Sequence, residues 1–320
     1  MNAAFWDKLQ KVDRRVLYVV LVVLTSIGLF LKAEIPVAVD DSSADFYAKL
    51  MKIDPNKPVV VQTDWTISTR GENMAHLECL LRILMTRKIK FVYYSATSDA
   101  PAFQVATDVI RHINEERKAM NLKVYERGTD YIGLGLFPNA EGANESMRND
   151  IKKAWGGRRV RMPDGNETDI FQTPVLKGVN SMGDFGLMVV VTASDTIDFA
   201  VQRLNDKVEL TGMATGVIAP GMLPYYQARQ LKGFAGGLKG CYDMEYMMKH
   251  GINHPEEGGK IYVNAGKIVG EVPPLGSGKD LARATQYYAD LHIALSLLIF
   301  AVVVGNVAMF AQKKAKKGAE

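Results

Sequence analysis

Short apolar runs alternate with amphipathic segments through the middle of the chain. The apolar runs cover residues 58–63, 89–94, 130–137, 186–192 and 213–219. Between them, apolar residues recur at every third or fourth position, as in 71–88, which predicts helices. Near-continuous apolar strands separated by helices are typical of a parallel sheet covered on both faces.

This alternation predicts a three-layer α/β domain, Rossmann-like or flavodoxin-like, with about five mainly parallel strands over residues 58–272. The stretch 156–185 interrupts the alternation and is predicted to be an inserted hairpin or long loop. Residues 222–250 read as mostly helical, and 260–271 as a short hairpin.

A different pattern appears at both ends of the chain. Residues 291–311 contain no Asp, Glu, Lys or Arg, and at 1.5 Å per residue they form roughly 31 Å of helix, enough to cross a bilayer. Residues 16–33 hold a shorter apolar run, interpreted as a first transmembrane helix and signal anchor. A cleaved signal peptide is the alternative.

The two predicted spans divide the chain into compartments. Residues 1–15 carry a charge of +2 and residues 312–320 carry +3, so residues 16–311 carry −1 of the total +4. Basic segments stay in the cytoplasm, which places both tails there and the body outside, in the periplasm if the membrane is the inner membrane of a bacterium. Residues 34–57 are then a juxtamembrane segment, and 273–290 a linker leading into the last helix.

The charge distribution also excludes a class of partner. A nucleic-acid-binding domain carries a basic field over its body, and this body is slightly acidic, so we expect no nucleic-acid partner. The two cysteines, Cys79 and Cys241, lie far apart in sequence and form no CxxC motif. Two small buried thiols are the favoured interpretation, and a disulfide is the alternative.

Polar residues follow the predicted strands, where open parallel sheets bind ligands. The candidate ligand-binding residues are Thr63, Asp64, Trp65, Ser98, Asp99, Asn139, Ser194 and Asp195. Ser, Asp and Asn also cap helices, which is the simpler explanation for several of them. For Asp64 the alternative is a structural hydrogen bond to the loop backbone.

The chain lacks recognisable motifs for a cofactor, a metal or catalysis. The Gly133-x-Gly135 pair lies inside a predicted strand and lacks a third glycine at the dinucleotide spacing. His250, His254, Glu256 and Glu257 fall in a predicted solvated loop rather than a metal site. We therefore expect no cofactor and no metal, and we favour a protein without enzyme activity over an enzyme.

Two features suggest assembly instead. Gly233, Gly236, Gly237 and Gly240 would share one face of a helix, where another backbone could approach closely; a turn between two helices is the alternative. Asn306 lies inside the last apolar run, and an amide in hydrocarbon favours a helix partner.

The segment that contains the four glycines, residues 224–240 (PYYQARQLKGFAGGLKG), resembles uncharacterised bacterial membrane proteins. This resemblance implies no function.

The leading hypothesis is a non-catalytic, double-anchored extracytoplasmic subunit. It would assemble with itself or with other membrane proteins in the lipid bilayer. The first alternative is a module that binds or senses a small molecule at the strand carboxyl ends. The second is a membrane-tethered hydrolase or transferase that uses Asp64 and its neighbours.

Overall fold

The computed structural model describes residues 14–31, 35, 38–97, 99–250, 252–256, 259–263 and 283–317. The chain divides into two compact units, Ala38–Ala284 and the combination of Met1–Val37 with Thr285–Glu320. Each unit is described by itself.

Six parallel strands form the central sheet of the larger unit. They are β1 (Val59–Asp64), β2 (Phe91–Ser95), β3 (Tyr131–Leu136), β6 (Leu187–Thr192), β7 (Leu210–Ala214) and β8 (Leu231–Gly236). Their order is β3-β2-β1-β6-β7-β8, and every neighbouring pair is parallel. The chain builds outward from β1 to one edge and then returns to build outward from β6 to the other, which is the Rossmann-like order.

Helices cover both faces of this sheet. The described helices of the chain are α1 (Arg14–Leu31), α2 (Asp41–Lys52), α3 (Arg70–Thr86), α4 (Ala100–Ala119), α5 (Ala140–Asn149), α6 (Ile151–Trp155), α7 (Thr196–Leu204), α8 (Ala219–Gln227), α9 (Gly237–His250) and α10 (Arg283–Lys317). Of these, α2 to α9 belong to the same unit as the sheet, whereas α1 and nearly all of α10 belong to the smaller unit. On one side α3 contacts both α4 and α9, and on the other α5 contacts α7. The predicted three-layer α/β fold is confirmed.

The sixth strand corrects the predicted count of about five. The stretch 222–250, expected to be mostly helical, contains β8 between α8 and α9. Gly233 has φ of +148°, a backbone conformation that a helix excludes and that glycine tolerates. A Cβ at Gly233 would collide with the backbone of Phe46 in α2, so the missing side chain lets α2 lie directly on the edge strand.

The remaining differences are local. The fifth predicted strand, 213–219, lies a few residues earlier, at β7. The insertion 156–185 contains the predicted hairpin, β4 (Arg159–Arg161) paired antiparallel with β5 (Glu167–Asp169). A second hairpin pairs β9 (Ile252–Glu256) with β10 (Gly259–Val263), so 252–256 is a strand and not the predicted loop. The second half of the predicted hairpin 260–271 lies outside the described residues.

Of the described helices, α10 alone is long and apolar enough to cross a membrane, over Arg283–Ala311. The apolar part of α1, Arg15–Gly28, is shorter. The structure therefore contains one described helix that could span a membrane, by its length and composition, and not the predicted two. A Cβ at Gly28 would meet the side chains of Asp290 and Ile293, so α1 and α10 approach closely within the smaller unit.

Both ends of the α/β unit are bound to the same helix, α9. At the first end, the backbone N–H of Asp40 donates to Asp243 Oδ2 at 3.1 Å, and Lys239 Nζ donates to the carbonyl of Ala38 at 2.9 Å. At the other end, the N–H of Ala284 donates to Glu245 Oε1 at 3.1 Å. Asp243 and Glu245 stand two positions apart, so the chain enters and leaves the α/β unit side by side.

A buried cluster of charges reinforces the second of these attachments. Arg82 on α3 pairs with Glu78 at 2.7 Å and with Glu116 of α4 at 2.6 Å. The other carboxylate oxygen of Glu78 lies 3.3 Å from Nε of Arg283, the first residue of α10. Glu78 and Arg82 are only 3% and 5% exposed. Removing one partner from a buried ion pair costs far more than an exposed pair contributes, because the other charge stays buried.

Cys79 and Cys241 are both free and buried. They lie on α3 and α9, and Cys79 Sγ is 3.8 Å from the sulfur of Met248. The interpretation as two small buried thiols agrees with this arrangement.

We predict that Arg82→Met lowers the free energy of unfolding by about 3–5 kcal/mol, because it leaves Glu78 and Glu116 buried without their shared cation. Arg111→Met is the matched control, since Arg111 is 70% exposed and pairs with a neighbour on its own helix; its effect should stay within about 0.5 kcal/mol. Thermal unfolding of the full chain in detergent measures both. Equal effects from the two variants would contradict a structural role for the buried cluster.

Candidate functional site at the carboxyl edge of the sheet

The strand order identifies one switch point, between β1 and β6. The two strands end together there, with Asp64 and Thr192 as register partners. The hydroxyl of Thr192 donates to the Asp64 carbonyl at 3.1 Å, and the N–H of Ala193 donates to the same oxygen at 3.1 Å. In Rossmann-like sheets this crevice is the usual ligand site, so the predicted candidates Asp64 and Ser194 do belong to one locality.

Asp64 is fully buried, and both carboxylate oxygens are engaged. Oδ1 accepts a hydrogen bond from the N–H of Ala96 at 2.8 Å, and Oδ2 accepts one from the side-chain amide of Gln62. Burial raises the pKa of Asp64 to about 6, although its hydrogen bonds oppose that rise. The bond to Ala96 is the structural bond to the loop backbone that was the alternative for this residue.

Three residues that the sequence did not single out extend this network. The hydroxyl of Tyr94 donates to Gln62 Oε1 at 2.7 Å and lies 3.2 Å from Asn144 Oδ1 on α5. Burial, together with the Asp64 charge, raises the pKa of Tyr94 well above its usual value. Gln62, Tyr94 and Asn144 are all fully buried, so the network joins β1, β2 and α5 inside the core. A glutamine in the otherwise apolar run 58–63 was the one sequence signal for it.

A cluster of hydroxyls closes the β6 side of the switch point. Thr192 Oγ1 lies 3.0 Å from Thr196 Oγ1 and 3.4 Å from Ser194 Oγ, and it accepts the N–H of Ser194 at 2.9 Å. Thr196 also hydrogen-bonds to the Asp64 side chain. These hydroxyls satisfy one another and the turn into α7, so the arrangement keeps the Asp64 carboxyl away from solvent.

Two of the other predicted residues cap helices. Asp99 accepts the N–H of Ala102 at 3.1 Å at the start of α4, and its second oxygen accepts the N–H of Ile67 at 3.0 Å. Asn139 accepts the N–H of Gly142 at 2.9 Å at the start of α5. Both residues thus make the capping bonds that the simpler interpretation names, and a ligand role for either stays a prediction. Asp195 is exposed and makes no capping bond, and Ser98 lies outside the described residues.

Thr63 and Trp65 are held inside the core. The hydroxyl of Thr63 donates to the carbonyl of Tyr94 at 3.0 Å, which ties β1 to β2. Trp65 is 1% exposed, and its indole N–H has no partner among the described residues. Neither side chain reaches the surface at which a ligand would arrive.

An open cleft lies beside Asn139, at the end of β3. Its volume is about 520 Å³, and its walls include Phe137, Ser146, Asp150 and Lys153 from the β3 loop, α5 and α6. The lining thus combines one aromatic ring with polar side chains and charges of both signs. Of the predicted ligand-binding residues, Asn139 lines this cleft, and the small-molecule function remains a prediction.

The four glycines proposed as a helix face do not form one. Gly233 and Gly236 lie in β8, whereas Gly237 and Gly240 lie in α9, because the strand-to-helix turn falls between them. They do permit close approach within the domain: a Cβ at Gly240 would come within 2.6 Å of the Ala235 backbone. Asn306 is exposed on α10.

The described residues contain no group of three or more His, Cys, Asp or Glu that could hold a metal ion. No protein-family model, no curated protein and no solved structure matches the chain.

We predict that Asp64→Asn flattens the dependence of stability on pH. The folded pKa is about 6, and an unfolded aspartate titrates near about 3.9. Between these values the unfolded chain has lost the proton that the folded chain keeps, so the free energy of unfolding falls as the pH rises. Between pH 4 and pH 7 the titration of Asp64 should lower the free energy of unfolding of the wild type by about 2 kcal/mol, and this contribution should be absent from the variant.

Denaturant unfolding of both proteins across this pH range measures the difference. Asp184→Asn is a control of opposite sign, because hydrogen bonds from the Asn180 and Ser181 backbone lower the pKa of Asp184. Asp184 stabilises the fold above its unfolded pKa and ceases to do so as the pH falls. Parallel curves for the wild type and Asp64→Asn would show that Asp64 ionises freely in the folded chain.

Proposed function

We propose that the protein is a membrane-anchored, non-catalytic subunit whose extracytoplasmic α/β domain assembles with itself or with other membrane proteins. The observation that carries the proposal is that both ends of the domain are hydrogen-bonded to α9, Asp40 to Asp243 and Ala284 to Glu245. A domain tethered to one membrane face at both ends needs its ends side by side. An apolar helix lies beyond each end, α1 before residue 38 and α10 from residue 283.

The closed switch point supports a role without catalysis. A carboxylate that acts as nucleophile or general base must reach the reacting atoms. Asp64 is 0% exposed and bound to Ala96 and Gln62. The hydrogen bonds at this edge connect parts of the fold to one another.

The surface of α10 supports both anchoring and assembly. Phe300, Val303 and Phe310 are 65%, 53% and 67% exposed, as suits side chains that face lipid. Asn306 is exposed on the same helix, where hydrocarbon would leave its amide without hydrogen-bond partners. Such an amide stabilises a contact between helices by about 1–2 kcal/mol in peptides and by less in folded bundles. The basic tails flanking the two apolar helices favour a cytoplasmic position for both chain ends.

We predict that the chain, extracted from its own membranes in a mild detergent, has a mass above the 35.3 kDa of one copy. Asn306→Leu should lower the associated fraction several-fold, because it removes the polar contact and preserves the apolar helix. Val303→Leu changes an exposed apolar position of α10 and is the matched control. Light scattering after size exclusion gives the mass, and mass spectrometry identifies any co-purified protein. A lone monomer for the wild type would contradict the proposal.

A further inference from the structure

A second cleft lies at the opposite edge of the sheet, where the strands begin. Its volume is about 440 Å³. Lys57, Gly186 and Glu209 line it just before β1, β6 and β7, and the C-terminal end of α2 forms another wall. Residues from several separate parts of the domain therefore form the cleft.

The cleft gathers an excess of positive charge. Its lining contains Lys49, Lys52, Lys57 and Lys207 against two carboxylates, Asp54 and Glu209. Both carboxylates already have partners. Glu209 pairs with Lys49 at 2.7 Å, and Asp54 accepts the backbone N–H and the side-chain amide of Asn56 at 2.9 and 3.0 Å.

Acidic residues near the rim are engaged as well. Asp206 is paired with Arg148 through both oxygens and lies 3.8 Å from Lys207. Asp184 accepts bonds from the backbone of Asn180 and Ser181. Lys57 also contributes to the lowered pKa of Asp184, so that carboxylate acts on one of the cleft lysines. Neither Asp184 nor Asp206 lines the cleft, and within the lining four lysines stand against two carboxylates, a net charge of +2.

Helix electrostatics explain only half of the lysines. Lys49 and Lys52 lie in the last turn of α2, where cations are favoured by the helix dipole. Lys57 and Lys207 lie in the loops before β1 and β7. Because neither residue is in the last turn of a helix, the helix dipole does not account for their positions. Burial first, and the neighbouring Lys49 second, lower the pKa of Lys52, while Glu209 opposes that change. Perturbed ionisable groups that line a cleft are typical of binding sites.

We propose that this cleft binds a multiply charged anion of the phosphate class, with the Lys57 and Lys207 ammonium groups as its main ligands. An ammonium is a compact point charge that suits phosphate oxygens without a fixed geometry. The volume accommodates a small phosphate compound or the exposed phosphate of a larger one. The ligand can be free in solution or carried on a lipid headgroup, and the chemistry of the site is the same in both cases.

The test uses the full chain in uncharged detergent at constant ionic strength, which keeps general screening fixed. Inorganic pyrophosphate is added in one series and phosphatidic acid, in mixed micelles, in the other, and the thermal midpoint is followed. The variants are Lys57→Gln with Lys207→Gln, and, as the matched control, Lys118→Gln with Lys232→Gln at exposed positions away from the cleft.

At a hundredfold excess over its dissociation constant, the ligand should raise the midpoint by about 5–10 °C in the wild type and in the control. The cleft variant should lose this shift while its ligand-free midpoint stays equal or rises, because repulsion is relieved. A response to phosphatidic acid alone assigns the phosphate to a lipid. Equal shifts in all three proteins, or no shift with either probe, would overturn the proposal. This test is independent of the assembly proposed above.

Discussion

The α/β domain depends on one helix, α9, to hold its two ends together. Lys239 and Asp243 bind residues 38–40, and Glu245 binds the start of α10 at Ala284. Beside it, Glu78 on α3 pairs with Arg82 and with Arg283, which lies at the end of the α/β unit. Buried charges specify position strongly, because any rearrangement that separates them leaves an uncompensated charge in the core. The geometry of the chain ends is therefore set by electrostatics as well as by apolar packing.

The same domain closes the place where its fold class usually binds ligands. At the β1/β6 switch point, Asp64, Gln62 and Tyr94 satisfy one another, and the burial that follows raises the pKa of Asp64 to about 6. Two open clefts occur elsewhere in the domain. One lies beside Asn139 at the end of β3, and the other lies among four lysines at the edge where β1, β6 and β7 begin. Both clefts are lined by residues at the ends of the sheet strands and of the helices packed on them.

The sequence predicts the layered fold because buried parallel strands leave a local pattern, as 58–63, 89–94 and 186–192 do. It does not predict β8, because a strand that contains Gly233 and Gly236 shows neither alternating apolar and polar residues nor a continuous apolar run. The position of β8 also depends on the packing of α2 against it. Strand order is likewise set by contacts distant in sequence. The Asp64 network joins residues about thirty to eighty positions apart, and the lysine cleft joins Lys57 to Lys207, so no local pattern could reveal either.

The central claim is that both chain ends lie on one side of a membrane and the α/β domain on the other. Single cysteines at Asn2, Lys118 and Lys313, treated with a membrane-impermeant maleimide in sealed right-side-out vesicles, test it directly, since the native thiols are buried. We predict that Lys118→Cys is labelled in the sealed vesicles. Asn2→Cys and Lys313→Cys should be labelled only after detergent opens the vesicles. Labelling of Asn2→Cys together with Lys118→Cys in sealed vesicles would contradict it, because α1 would then not span.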